Sequence, residues 1–175
     1  MPTHIKISTI TVGSGGAASI DFTSIPATYT DLLLVGSLRG GSGSNGQYAF
    51  GVRVNNDATG IYSNRDLYGT GSSPASGSNT GIVDLGYLNA FISGNGATAS
   101  TFGSFSMYIP NYLSSNYKSS SLDIVAENNN ATAYATLSAG LYSSTSAISR
   151  LTIYERDTNT IAQYSSATLY GIKSS

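Results

Sequence analysis

Apolar and polar residues alternate along most of this chain, and a period of two marks strands whose side chains point in turn to opposite faces. Tyr48, Phe50, Val52 and Val54 share one parity, with Ala49, Gly51, Arg53 and Asn55 on the other. Phe105, Met107 and Ile109 oppose Ser104, Ser106 and Tyr108, and Leu122, Ile124 and Ala126 repeat the rule. By the same pattern Ala133, Ala135, Leu137, Ala139 and Leu141 form a core face, with Tyr134, Thr136, Ser138 and Tyr142 turned outwards. Leu151 and Ile153 oppose Arg150, Thr152 and Tyr154. Leu32 to Val35 is unbroken apolar and reads as a central strand covered on both faces. Ile5 and Ile7 differ in parity from Ile10 and Val12, so a bulge or sheet crossing is expected near Ser8 and Thr9.

Turn residues separate these runs. Gly40 to Gly46 has the glycines to close a hairpin, while Asn55-Asn56-Asp57, Asn128-Asn129-Asn130 and Asp157-Thr158-Asn159 carry the next most tolerant residues. Gly71 to Thr80 and Ser93 to Ser100 read as polar outer connections. The best helix candidate is a single turn at Asn64 to Tyr68, stopped by Gly69 and too short to stand alone. The pattern therefore predicts an all-β chain of about eight to ten short strands in two packed antiparallel sheets, a jelly roll or another Greek-key sandwich. Residues 1–175 read as a single domain, with no repeat of fixed period and no break in composition.

Composition narrows the function more than the fold. Only 10% of residues are charged, against roughly 25% in ordinary soluble domains, so solubility rests on hydroxyls and amides. A net charge of −1 leaves no basic patch for phosphates, and no nucleic-acid partner is expected. No apolar run approaches the roughly 18 residues of a membrane helix, and Met1 to Lys6 lacks the features of a secretory signal, so a chain made in the cytoplasm is expected, with no membrane partner. The absence of cysteine excludes disulfides, thiolate nucleophiles and cysteine-based zinc sites.

Few residues point to chemistry. His4 is the only histidine, so a Ser-His-Asp arrangement would have to draw its base from beside the amino terminus. Asp123 and Glu127 share the face opposite Leu122 and Ile124, but a glycosidase pair needs its carboxyls across a cleft with aromatic walls. The Asn-rich turns lack the spacing and glycine of a dedicated calcium loop, and the Gly-Ser run near Gly41 lacks the Gly-Lys-Ser/Thr ending of a phosphate loop. Neither a catalytic set, a metal nor a cofactor is expected. Tyrosine is the over-used aromatic, at 13 against 5 Phe and no Trp. Tyr108, Tyr134, Tyr142 and Tyr154 fall opposite the predicted core faces, which makes them the candidate partner contacts.

Three segments carry a family resemblance: Thr23 to Leu32 (Thr-Ser-Ile-Pro-Ala-Thr-Tyr-Thr-Asp-Leu), Asn111 to Glu127, and Ala167 to Lys173 (Ala-Thr-Leu-Tyr-Gly-Ile-Lys). The chain resembles virion structural proteins of tailed bacteriophages. That resemblance implies a small jelly-roll subunit located in the virion and made in the host cytoplasm; without a secretory signal, lysis is a simpler route out of the cell than secretion. Its expected partners are the major capsid protein or other virion proteins, and a cyclic homotrimer suits threefold positions. A head decoration or cement subunit is the first reading. A tail-fibre or receptor-binding module recognising a host glycan is the second, and a depolymerase the third, weakened by the missing base and nucleophile.

Overall fold

The computed structural model describes residues 3–86, 89–129, 133–157 and 160–173. Twelve strands are present among them and no helix. The first six are β1 (Thr3–Thr11), β2 (Ser19–Phe22), β3 (Asp31–Leu38), β4 (Gln47–Val54), β5 (Tyr62–Gly69) and β6 (Pro74–Ile82). The others are β7 (Phe91–Ser93), β8 (Gly103–Ile109), β9 (Lys118–Ala126), β10 (Tyr134–Tyr142), β11 (Leu151–Glu155) and β12 (Ser166–Lys173). They form an antiparallel sandwich of an eight-stranded sheet, ordered β1-β12-β3-β8-β9-β10-β5-β6, and a four-stranded sheet, ordered β2-β11-β4-β7.

The strand order identifies the architecture. If β5, β6, β9 and β10 are set aside, the first remaining strand pairs with the last (β1 with β12), the second with the next to last (β2 with β11), then β3 with β8 and β4 with β7. That is a long antiparallel ribbon rolled over on itself, the jelly roll. The four strands set aside are two hairpins, β5–β6 and β9–β10, which add to the edge of the larger sheet beyond β8. They account for a strand number above the predicted range.

Between the sheets lie Leu32, Leu34, Phe50, Val52, Met107, Leu122, Ile153 and Leu169, all buried. The rings of Phe50 and Phe105 meet across the sandwich with centroids 5.1 Å apart. Strands β4, β8, β9 and β11 bury the residues that the alternation assigns to the core. The expected irregularity in β1 is a register shift between Lys6 and Ser8 against β12. Asn55 and Asn56 hold positive φ at their turn, as does Asn129. Asn130, Thr158 and Asn159 lie outside the described residues.

Several expectations are corrected. Asn64 to Tyr68 is not helical: the segment is the middle of β5, held between β6 and β10. Much of Gly71 to Thr80 is not loop but the edge strand β6. The Gly40 to Gly46 segment closes no hairpin, because β3 and β4 belong to different sheets. Strand β3 is central, paired with β12 and β8, yet it alternates: Leu32 and Leu34 are buried while Leu33 and Val35 are half-buried on the outer side.

The most informative correction is β10, whose faces are reversed. Thr136, Ser138 and Tyr142 are buried, whereas Ala135, Leu137 and Ala139 are exposed. The reason lies in Asn89, just ahead of β7, which lies against the inner side of β5 and β10. Thr136 donates its hydroxyl hydrogen to the backbone oxygen of Asn89 (2.8 Å), and Asn89 Nδ2 donates to Asp66 Oδ2 (2.9 Å). Buried backbone carbonyls require partners, so polar side chains occupy the inner face here and leucines are left on the outer one.

Candidate interaction surface

The outer face of the eight-stranded sheet carries rows of residues that run across the strands; beside the row of Leu33, Tyr108, Ser121, Ala139 and Arg65 lie two more. One row is Val35, Ser106, Asp123, Leu137 and Leu67, in direct cross-strand register on β3, β8, β9, β10 and β5. The second is Ser37, Ser104, Val125, Ala135 and Gly69 on the same strands. Between the rows runs a shallow trough. Near the β5–β6 turn it widens to about 590 Å³ between Leu137, Leu67 and Pro74. Across β12, β3 and β8 it forms a second hollow of about 360 Å³, open because serines line it.

The chemistry of this face is apolar and hydroxylic. Leu67 and Leu137 are direct cross-strand partners and are 59% and 56% exposed, with Val125 at 47% beside them. Exposed leucines and valines set in a contiguous groove are the usual mark of a contact surface, whereas scattered single ones are not. Asp123 is the one charge between the hollows, and Glu127 lies exposed beyond the end of β9.

The four tyrosines predicted as contacts fall in different places. Tyr108 is on this outer face, 37% exposed, and donates its hydroxyl hydrogen to Asp31 Oδ2 (2.9 Å). Tyr142 is not a surface residue: it is buried against Tyr62, with ring centroids 5.0 Å apart. Tyr134 is half-buried on the inner side of the sheet, stacked between Phe91 (4.4 Å) and Tyr68 (6.2 Å). Both corrections follow from the reversed faces of β10. Tyr154 lies on the outer side of the smaller sheet, where its hydroxyl donates to the fully buried Asp84 and the Arg53 guanidinium sits 4.5 Å over its ring. The leucines of the contact face were missed, because alternation alone assigns Leu137 to the core.

Titratable groups elsewhere are bound into the framework. Burial pushes the Asp84 carboxyl above its ordinary range, with the Tyr154 hydrogen bond and the charges of Arg156 and Arg53 pulling the other way. Burial, with the Asp84 hydrogen bond and charge, pushes the Tyr154 hydroxyl up to about 12. For Asp21, burial raises the pKa, but hydrogen bonds from Ser19, Thr152 and Arg150 outweigh it and leave the carboxyl below its ordinary value. Two cations are buried on backbone oxygens. Lys118 Nζ donates to the carbonyls of Ser114, Ser144 and Ser146. Arg39 donates to those of Asn95, Ala97, Thr98 and Thr101. Burial lowers the pKa of both.

His4 is exposed on β1, opposite Ile172 of β12. Asp123 and Glu127 are both exposed, and among the described residues no three His, Cys, Asp or Glu side chains gather as a metal site. What the arrangement offers is a hydrogen-bonded sheet with large apolar side chains exposed on its outer face. Comparison with family models, with curated proteins and with solved structures finds no match for this chain.

Proposed function

We propose that the chain is a structural protein of a tailed-phage virion, most simply a capsid decoration or cement subunit that binds the assembled head. The observation that carries the reading is the outer sheet face, where Leu67, Leu137 and Val125 stand exposed among hydroxyls on a firmly paired sheet. A face of this kind binds another protein surface without rearranging, which keeps the ordering cost of binding low. The jelly-roll strand order agrees with what the resemblance of Thr23 to Leu32, Asn111 to Glu127 and Ala167 to Lys173 implies. Partners would be the major capsid protein or other virion proteins, together with further copies of the subunit.

The mechanism is mass action. A subunit that binds the closed shell and not its dissociated parts stabilises the shell in proportion to the logarithm of its concentration over its dissociation constant. One observation favours the receptor-binding reading instead: the serine-lined hollow across β12, β3 and β8 could hydrogen-bond a neutral glycan. Heating separates the two. Particles lacking the subunit should assemble and rupture at lower temperature than complete ones if it is cement, and should rupture alike but fail to adsorb to host cells if it is a receptor-binding module.

A further inference from the structure

Of the four strands at sheet edges, β1, β6, β2 and β7, only β6 is open along its length. Strands β2 and β7 are four and three residues long, and β1 carries Lys6 with a register shift beside it. Short strands, charges and bulges are the devices that keep an edge from pairing further. Strand β6 has nine residues and no charged side chain. Its own interruptions lie at its ends: Pro74 at one, and at the other a bulge at Gly81, which stands at φ 69° between Thr80 and Ile82.

The phase of the hydrogen bonds decides which groups face outwards, because successive residues of an antiparallel strand bond to opposite neighbours. Ser143 donates its N–H to the carbonyl of Ile61, one step beyond the Tyr142–Tyr62 pair. The odd residues of β5 therefore bond to β10 and the even ones to β6. Asn64 and Asp66 are partners of Asn79 and Gly77 through their backbones, which leaves the N–H and C=O of Ser76, Ser78 and Thr80 directed away from the sheet. Pro74 falls in the same phase, so its missing N–H is on the open side, where an edge tolerates proline. Ser76, Ser78 and Thr80 are exposed, and among the described residues no other backbone bonds to them from that side.

We propose that β6 pairs antiparallel with β6 of a second copy, about a twofold axis that passes between the two Ser78 residues perpendicular to the sheet. In that register Ser78 meets Ser78 and Ser76 meets Thr80, so every outward-facing residue finds a partner and each pair exchanges two backbone hydrogen bonds. Pro74 and the Gly81 bulge end the match on either side. A twofold contact requires a stretch that complements itself, and this one does. Hydroxyls oppose hydroxyls on the outer face, Gly77 opposes Asn79 on the inner one, and no like charges meet. Arg65, beside Ser78 on β5, faces its own copy across three strand spacings, about 14 Å, beyond the roughly 8 Å over which salt leaves charges unscreened. A foreign strand is selected by pockets for its side chains, which Ser76, Ser78 and Thr80 do not form. An axis perpendicular to the sheet also keeps both outer faces on one side, so the pair presents two sets of Leu67, Leu137 and Val125 and covers neither.

Sedimentation of the purified full chain over a range of concentrations should show a monomer–dimer equilibrium. Ser78→Pro removes the N–H at the axis without touching the ladder to β5, and should leave a monomer. Ser78→Lys, which sets two ammonium groups opposite each other, should do the same with an unchanged far-ultraviolet spectrum. Ser78→Ala keeps the backbone groups and should keep the dimer. The chain has no cysteine, so Ser78→Cys reports pairing without background. Its Cα atoms in a hydrogen-bonded pair lie about 5.5 Å apart, within reach of a disulfide, and mild oxidation should crosslink it. Thr9→Cys, on the opposite edge strand β1, should not crosslink. A chain that stays monomeric at every concentration, a trimer, a dimer that survives Ser78→Lys or is lost in Ser78→Ala, or crosslinking through Thr9→Cys alone would each overturn the proposal. Presence in particles tests the virion reading separately, so either can fail without the other.

Discussion

Tyr154 donates its hydroxyl hydrogen to the carboxylate of Asp84, joining the segment that leads into β7 to the outer side of β11. The carboxylate lies against Gly51, where a Cβ would fall 2.6 Å from Asp84 Cγ, and its second oxygen has no partner. Arg156 Nε lies 3.3 Å from the bonded oxygen. A fully buried carboxylate held this way is under-compensated, which is the condition that raises its pKa.

A pH dependence of defined sign follows. Because the folded pKa of Asp84 is raised, the folded state binds the proton more tightly than the unfolded chain does. That contribution is full below the ordinary value of 3.8 and is lost as pH rises through the folded pKa. The stability of the parent chain relative to Asp84→Asn should therefore increase as pH falls from 7 towards 4, measured by urea unfolding at each pH. Asp21→Asn should behave oppositely. The Asp21 pKa is lowered, so the cost of its replacement should be present at pH 7 and shrink as pH falls below 3.8.

Arg39 serves as an internal brace for the loop from Gly94 to Thr101. Arg39→Met leaves the carbonyls of Ala97, Thr98 and Thr101 without this donor. It should cost about 1 to 3 kcal/mol and should raise amide exchange in the loop before it does so in β3. Uniform exchange across the sheet would mean that the brace is not local.

Leu34 is fully buried on the central strand β3. Leu34→Ala should cost about 2 to 5 kcal/mol through lost burial and the cavity left behind, whereas Leu33→Ala, on the half-buried outer side, should cost less. Equal losses in denaturant unfolding would mean that both faces of β3 are sealed in the monomer.

How much of this was legible in the sequence depends on how far each residue's partner lies along the chain. Alternation in β4, β8 and β9 assigns Phe50, Met107 and Leu122 correctly, because each strand has one face against the core and the pattern records it locally. The shift near Ser8 is visible for the same reason. The faces of β10 are not visible, because Thr136 is drawn inwards by Asn89, 47 residues away, and no local pattern records that bond. Asn64 and Asp66 look like helix-turn residues until β6 and β10 enclose them; inside the sheet they bond each other, Asn64 Nδ2 donating to Asp66 Oδ2 at 2.9 Å. Leu137 keeps the alternation, and what misleads is the premise that the apolar parity faces the core, since in β10 the buried parity is the polar one.

Membership of the virion shell, as proposed above, is tested most directly by the copy number of the chain in purified particles. Quantitative mass spectrometry against the major capsid protein should find the chain in numbers set by local symmetry sites on the shell, on the order of hundreds per particle. Absence from purified particles, or a count of about a few tens or fewer as tail symmetry would set, would contradict the decoration role.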